Sequence, residues 1–267
     1  MLKSFTWVNL QEMQKPDIYF IEAIGSDAAR RVTQLSAIGF ICLLLLLAGT
    51  TNLFAQTGKI PKGFTPIFNG KDLRGWHISK TSHHGTGGNF FVEDGNLVMK
   101  QYPYGQGGII LTDKKYKDFE LYLEFKGDPG TNGGIFFRSN ESGSAYQLEV
   151  AGDGERGTGT LMGEVLRTTT SAQAKALEKV WNRGGWNSFR LRVEGARPHA
   201  TLWVNGEKMW DVQARRNDLI ADVTEGMIAL QLHWSSTLLP VPGGSCCGYS
   251  WKPDAAHSYR NIAIKEL

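Results

Sequence analysis

Between Phe119 and Lys126 the chain alternates without a break. Phe119, Leu121, Leu123 and Phe125 are apolar, and Glu120, Tyr122, Glu124 and Lys126 carry polar groups. Successive side chains of a β-strand leave on opposite faces, so a period of two predicts a strand with one buried side and one wetted side. The pattern returns where Phe189, Leu191 and Val193 alternate with Arg190, Arg192 and Glu194. Asn205-Gly206 separates TLWV from EKMWDV, and Glu93-Asp94-Gly95 joins FFV to NLVM. Such pairs mark two-residue hairpins, because a type I′ turn needs positive φ at both central positions. Only SAQAKALEKV, Ser171 to Val180, reads as helix; it is rich in helix formers and follows a threonine run that can cap it. The expectation is an all-β, two-sheet sandwich with one short inserted helix.

Residues 1–55 read as an N-terminal extension carrying a secretory signal, 56–63 as a linker, and 64–267 as one domain. Ala37 to Gly49 is an apolar run of 13 residues behind Arg30 and Arg31, and Ala55 offers a small-residue cleavage site. A run this short falls below the roughly 20 residues of a spanning helix. A secreted or periplasmic location follows, with membrane contact only in passing; a retained signal anchor is the alternative. The net charge of +3 comes without a Lys/Arg cluster, which argues against nucleic-acid binding. Cys42 lies in the apolar run. Cys246 and Cys247 are adjacent, a spacing that disfavours an unstrained disulfide.

Three further segments sort chemistry by face. In YQLEV, Tyr146, Leu148 and Val150 oppose Gln147 and Glu149. In IALQLHW, Ile228, Leu230, Leu232 and Trp234 oppose Gln231 and His233. In GGIFFRS, Ile135 and Phe137 oppose Phe136 and Arg138. The second set suits hydrogen bonding to a sugar, stacking on it, or proton transfer; a polar surface with satisfied hydrogen bonds is the plainer reading. Trp76 is a candidate for stacking as well as for core packing. His83 and His84 sit in a Gly-rich loop. Adjacent histidines point apart on an extended chain, so a shared metal is not expected there. Arg260 reads as a structural ion-pair member. Asp153 and Glu155 offer oxygen ligands for Ca²⁺ without an EF-hand spacing.

Several segments follow one another along the chain: PIFNGKDLRGWHI (Pro66 to Ile78), FFVEDGNLVMK (Phe90 to Lys100), KDFELYLEFKGDPGTNGGIFFRS (Lys117 to Ser139), WNSFRLRVEG (Trp186 to Gly195), TLWVNGEKMWDV (Thr201 to Val212), MIALQLHW (Met227 to Trp234) and YRNIAIKEL (Tyr259 to Leu267). Together they resemble the 3-keto-disaccharide hydrolase domain family. The resemblance implies a concanavalin-like (lectin/glucanase) β-sandwich, a concave glycan face, a carbohydrate substrate and cleavage of 3-keto-glycosides. A ketone at C3 acidifies the C2 hydrogen; its removal expels the aglycone from C1, and water then adds. For this chemistry Glu149 or His233 is the candidate base and Arg138 or Gln231 the candidate holder of the enolate oxygen, so the catalytic candidates are Glu149, His233 and Arg138; Gln147, Gln231, Asn132, Phe136 and Trp76 are candidates for binding substrate. The family pattern places Glu before Gln where this chain has Gln147 before Glu149. A divalent metal ion is a possible holder of the enolate oxygen, and the sequence names none. A non-catalytic glycan-binding module is the alternative. A direct retaining glycosidase needs two carboxylates about 5 Å apart, and no second carboxylate stands two residues beyond Glu149.

Overall fold

The alternating runs form strands because each can bury one face against a second sheet. A computed structural model describes residues 59–235, apart from 153, 155 and 156, and residues 251–267. The expectations for the signal segment, its cleavage site, Cys42, Cys246, Cys247, Asp153 and Glu155 lie outside the described residues. In chain order the strands are β1 (Thr65–Pro66), β2 (Trp76–Ile78), β3 (Asn89–Glu93), β4 (Asn96–Lys100), β5 (Gly108–Tyr116), β6 (Phe119–Gly127) and β7 (Asn132–Ser139). They continue with β8 (Ala145–Ala151), β9 (Leu161–Glu164), β10 (Asn187–Glu194), β11 (His199–Val204), β12 (Glu207–Gln213), β13 (Gly226–Leu232) and β14 (Ala256–Glu266). Among the described residues they make two sheets. One has the order β12-β11-β10-β6-β14-β4-β3, with β1 added beside β14; the other runs β2-β5-β13-β7-β8-β9. Every pairing among the described residues is antiparallel. This is the expected all-β, two-sheet sandwich.

The inner faces follow the alternation. Phe119, Leu121, Leu123 and Phe125 of β6 are buried with Phe189, Leu191 and Val193 of β10. Ile135 and Phe137 of β7, Tyr146, Leu148 and Val150 of β8, and Ile228, Leu230 and Leu232 of β13 join the same core. At about 25 cal/mol per Å², burial on this scale is the dominant stabilising term. The outer face of the larger sheet carries ion pairs. Arg190 Nε lies 2.8 Å from Glu120 Oε2, and Arg260 Nε lies 2.6 Å from Glu124 Oε2. Both hairpins form as expected: Asp94 and Gly95 have φ of 50° and 79°, Asn205 and Gly206 have 50° and 84°.

The expected helix is reduced to a single 3₁₀ turn at Leu177–Lys179. Two tertiary contacts take the flanking residues. Ala172 exchanges backbone hydrogen bonds with Leu161 at the edge of β9. The threonine run, instead of capping a helix, binds the Asp218 carboxylate through Thr168 Oγ1 and through Thr169 N and Oγ1.

Candidate functional site

On the outer face of the smaller sheet, three neighbouring strands bring most of the expected side chains together. Gln231 of β13 is paired with Gly134 of β7, and Gly134 with Glu149 of β8. One step along, Phe136 is opposite Gln147, and the backbone N–H of His233 bonds the Asn132 carbonyl at 3.2 Å. His233 and Glu149 thus flank β7, two strand spacings (about 10 Å) apart across the sheet and offset by two residues along it. The Asn132 amide donates to Glu149 Oε1 at 3.1 Å.

Below these lies a buried layer. Gln231 is fully buried and Gln147 is 4% exposed. Their amides approach at 3.5 Å. Gln147 packs over Gly134, where a Cβ would lie 2.7 Å from its Nε2. Glycine is required at that point by the close approach, not by its backbone angle. Gln147 Oε1 has no hydrogen-bond partner among the described residues. A buried acceptor left unmet costs about 1–3 kcal/mol, and a ligand hydroxyl or a water would meet it.

His233 Nδ1 lies 2.6 Å from the Trp234 carbonyl. The carbonyl can only accept, so Nδ1 carries the proton and the lone pair is on Nε2. Burial pushes His233 below the ordinary histidine range, only partly opposed by that carbonyl. The ring is neutral at pH 7 and has the form of a base or a metal ligand.

The loop at 79–88 supplies residues that were not expected here. Ser82 to Gly85 is a turn, closed by Gly85 N–H to Ser82 C=O at 3.1 Å, and His84 N–H bonds Ser82 Oγ at 3.1 Å. The histidines at the turn's two central positions therefore do not point apart as they would on an extended chain; their ring centroids are 3.8 Å apart. Glu164, at the end of β9, meets both. Its Oε1 lies 2.8 Å from His83 Nε2 and 3.1 Å from His84 Nε2. The three donor atoms lie within 4.8 Å of one another. The His84 ring is 5.5 Å from that of His233, centroid to centroid. Burial pushes His84 down against the pull of Glu164. Burial pushes Glu164 up, but His84 and His83 outweigh it and hold the carboxyl below its ordinary value. Glu164 escaped the sequence reading because its strand is only four residues long. The outward phase of Met162 and Glu164 opposite Leu161 was the available signal.

Three expected site residues fall elsewhere. Arg138 does not join Phe136 on the outer face. β7 holds one residue more than β13 between the pairs Phe136–Ala229 and Ser139–Met227. Arg138 is the extra residue's site, with φ of 54°. Such a bulge reverses the facing of the residues beyond it. The guanidinium enters the end of the sandwich. There it donates to the Lys117 carbonyl at 3.0 Å and the Gly195 carbonyl at 2.8 Å, and lies 3.5 Å from Asp118 Oδ1. Trp76 takes the core side of β2, 6% exposed, with Nε1 donating to the Ile67 carbonyl at 2.7 Å. His77 takes the outer side, between Asp113 and Glu141. Phe136 keeps the outer phase but is fully buried in a small apolar cluster with Ile109, Leu111 and Ala229. Its ring centroid is 6.1 Å from that of His84, so it supports the loop and offers no open stacking platform.

The model of the 3-keto-alpha-glucoside-1,2-lyase-like domain matches residues 63–265, and the chain belongs to that family. A 3-keto-disaccharide hydrolase of Bacteroides thetaiotaomicron is 31% identical over 84 residues, which is 30% of this chain and 28% of that protein. The match thus spans little more than a quarter of that relative. Among solved structures, a candidate glycosyl hydrolase from Parabacteroides distasonis aligns with a TM-score of 0.52 at 20% identity, covering 77% of this chain and 94% of that one. A GlcNAcα1-4Gal-releasing endo-β-galactosidase from Clostridium perfringens aligns with a TM-score of 0.53 at 12% identity, covering 78% and 64%. At these identities the two structures speak to the fold.

Proposed function

We propose that this protein cleaves 3-keto-glycosides, with disaccharides oxidised at C3 as the substrate class. The observation that carries the reading is the placement of His233 and Glu149 on one face, either side of Asn132 and Gly134. His233 Nε2 takes the proton from C2, and the electron pair moves to the C3 oxygen as an enolate. The C1–oxygen bond then breaks, and the imidazolium proton goes to the departing oxygen, leaving an enone. Water attacks C1, Glu149 takes its proton, and that proton returns to C2 as the ketone re-forms. The sum is hydrolysis. Each proton transfer is worth about 10²- to 10⁴-fold. Asn132 orients the Glu149 carboxylate, and Gln147 Oε1 is the acceptor for a sugar hydroxyl. The apolar run behind Arg30 and Arg31, followed by Ala55, supports export, to the periplasm or beyond the cell.

The test is to incubate the protein with a 3-keto-disaccharide and with its unoxidised parent, and to follow both by mass spectrometry. The expected result is cleavage of the keto sugar alone, reduced at least about 10²-fold in His233→Ala and in Glu149→Gln. Wild-type rates in both variants would overturn the assignment of the site. Binding without turnover by the wild-type protein would make it a glycan-binding module.

A further inference from the structure

We propose that His83, His84 and Glu164 bind one divalent transition-metal ion of the zinc class, beside His233. The geometry is a built one. A single tight turn presents both imidazoles on the same side, and a carboxylate from another strand meets both Nε2 atoms with one oxygen. In a tetrahedral zinc site, bonds of about 2.0–2.2 Å set neighbouring donors about 3.3 Å apart. The observed separations of 2.8 and 3.1 Å therefore need only a small outward movement to admit the ion. The Gln231 Nε2 is 2.7 Å from one nitrogen of His84 and 3.0 Å from the other. An atom that close to both lies against the ring and not along either lone pair, so it does not occupy the ligand direction.

The donor set decides which ion. Two imidazole nitrogens with one carboxylate suit Zn²⁺, Co²⁺ or Ni²⁺, whereas Mg²⁺ and Ca²⁺ call for oxygen ligands. Three protein ligands leave a position for water or substrate, as catalytic zinc sites do. His84 is 3% exposed and anchors the site, while the His83 side chain is 42% exposed and leaves it open to solvent. In turnover the ion polarises the C3 carbonyl and holds the enolate oxygen, a task for which Arg138, withdrawn into the sandwich, is not available. That role rests on the keto-glycoside reading; the binding of the ion does not.

The untagged full-length chain, stripped with chelator, is titrated with Co²⁺ and Zn²⁺ by calorimetry, and Co²⁺ is followed by its visible bands. One equivalent should bind, with four- or five-coordinate Co²⁺ bands that Zn²⁺ abolishes and Mg²⁺ does not. His83→Ala and Glu164→Gln should each weaken binding about 100-fold or more, the upper end of what losing an outer-shell partner alone costs. Circular dichroism confirms that the variants fold; the exposure of His83 makes His83→Ala the safer of the two. No stoichiometric binding, or binding unchanged in His83→Ala, overturns the site. A protein that binds the ion but leaves keto-glycosides intact keeps this site and loses the proposed reaction. Full turnover by the metal-free protein keeps the reaction and removes the ion from it.

Discussion

The side-chain amide of Asn132 holds Glu149 Oε1 at 3.1 Å across the β7–β8 pair. The bond is diagonal, since Asn132 is paired with Ala151 and Glu149 with Gly134. It fixes the direction in which the carboxylate points. Asn132→Ala should leave the fold unchanged and lower kcat by up to about 10²-fold, the usual scale for a reacting group displaced by about 1 Å. Steady-state kinetics on a 3-keto-disaccharide, compared with Glu149→Gln, measures this; the Glu149 variant should be the more damaged.

Gly134 tests the packing beneath the site. A methyl group there would lie 2.6 Å from the Phe136 ring and 2.7 Å from the Gln147 amide. Gly134→Ala should cost about 1–3 kcal/mol through overpacking and lower kcat/KM as well, because Gln147 must move. Thermal unfolding and kinetics on the same sample separate the two effects.

Arg138 should govern stability and not turnover. Its buried guanidinium ties the smaller sheet to the carbonyls of Lys117 and Gly195 and to Asp118. Asp118 is 29% exposed and stays in contact with water, so the loss is that of hydrogen bonds from a charged group, about 1.5–3 kcal/mol. Arg138→Met should therefore lower the urea midpoint with an unchanged slope, while the molecules that remain folded keep the wild-type KM. A raised KM at full stability would return Arg138 to the site.

His257 sets an acid limit. It is fully buried, with Phe125 and Trp251 against its ring and no hydrogen-bond partner for either nitrogen among the described residues. Burial, with a smaller push from His233, lowers its pKa to about 3. In the unfolded chain the ordinary value is about 6.5. Between these values the unfolded state binds more protons, so stability is complete above about pH 6.5 and falls as the pH drops towards 3. At its steepest the loss is on the order of 1.4 kcal/mol per pH unit. Urea unfolding at several pH values should show this slope in the wild-type protein and a flatter one in His257→Phe.

The alternating segments made both sheets legible, because a period of two declares which side of a strand is buried. Phe119 to Phe125, Tyr146 to Val150 and Ile228 to Leu232 all bury the faces their patterns declare. The two hairpin turns were legible for a similar reason, since Asp-Gly and Asn-Gly report a backbone angle directly. Arg138 was not. A bulge is a property of two strands at once, and the residues of β7 alone carry no mark of the one-residue excess over β13. The shared direction of His83 and His84 was not legible from alternation either, because adjacent side chains diverge on an extended chain and only a turn brings them together. The Ser-His-His-Gly order, with serine opening and glycine closing a turn, was the clue to their shared direction. The Ser171 to Val180 segment failed by tertiary override, since Ala172 gains more at the edge of β9 than in a short exposed helix.

The bulge in β7 divides one strand between two tasks. The residues before it, Asn132 to Phe136, build the sheet face that carries the proposed site; those after it close the end of the sandwich. Substitution on one side of Phe137 should therefore change what the protein recognises, and on the other how long it survives. An engineer reshaping specificity has a boundary one residue wide. Deleting Ser139, just past the bulge, would put Arg138 opposite Met227 and turn its cation onto the outer face that now lacks it.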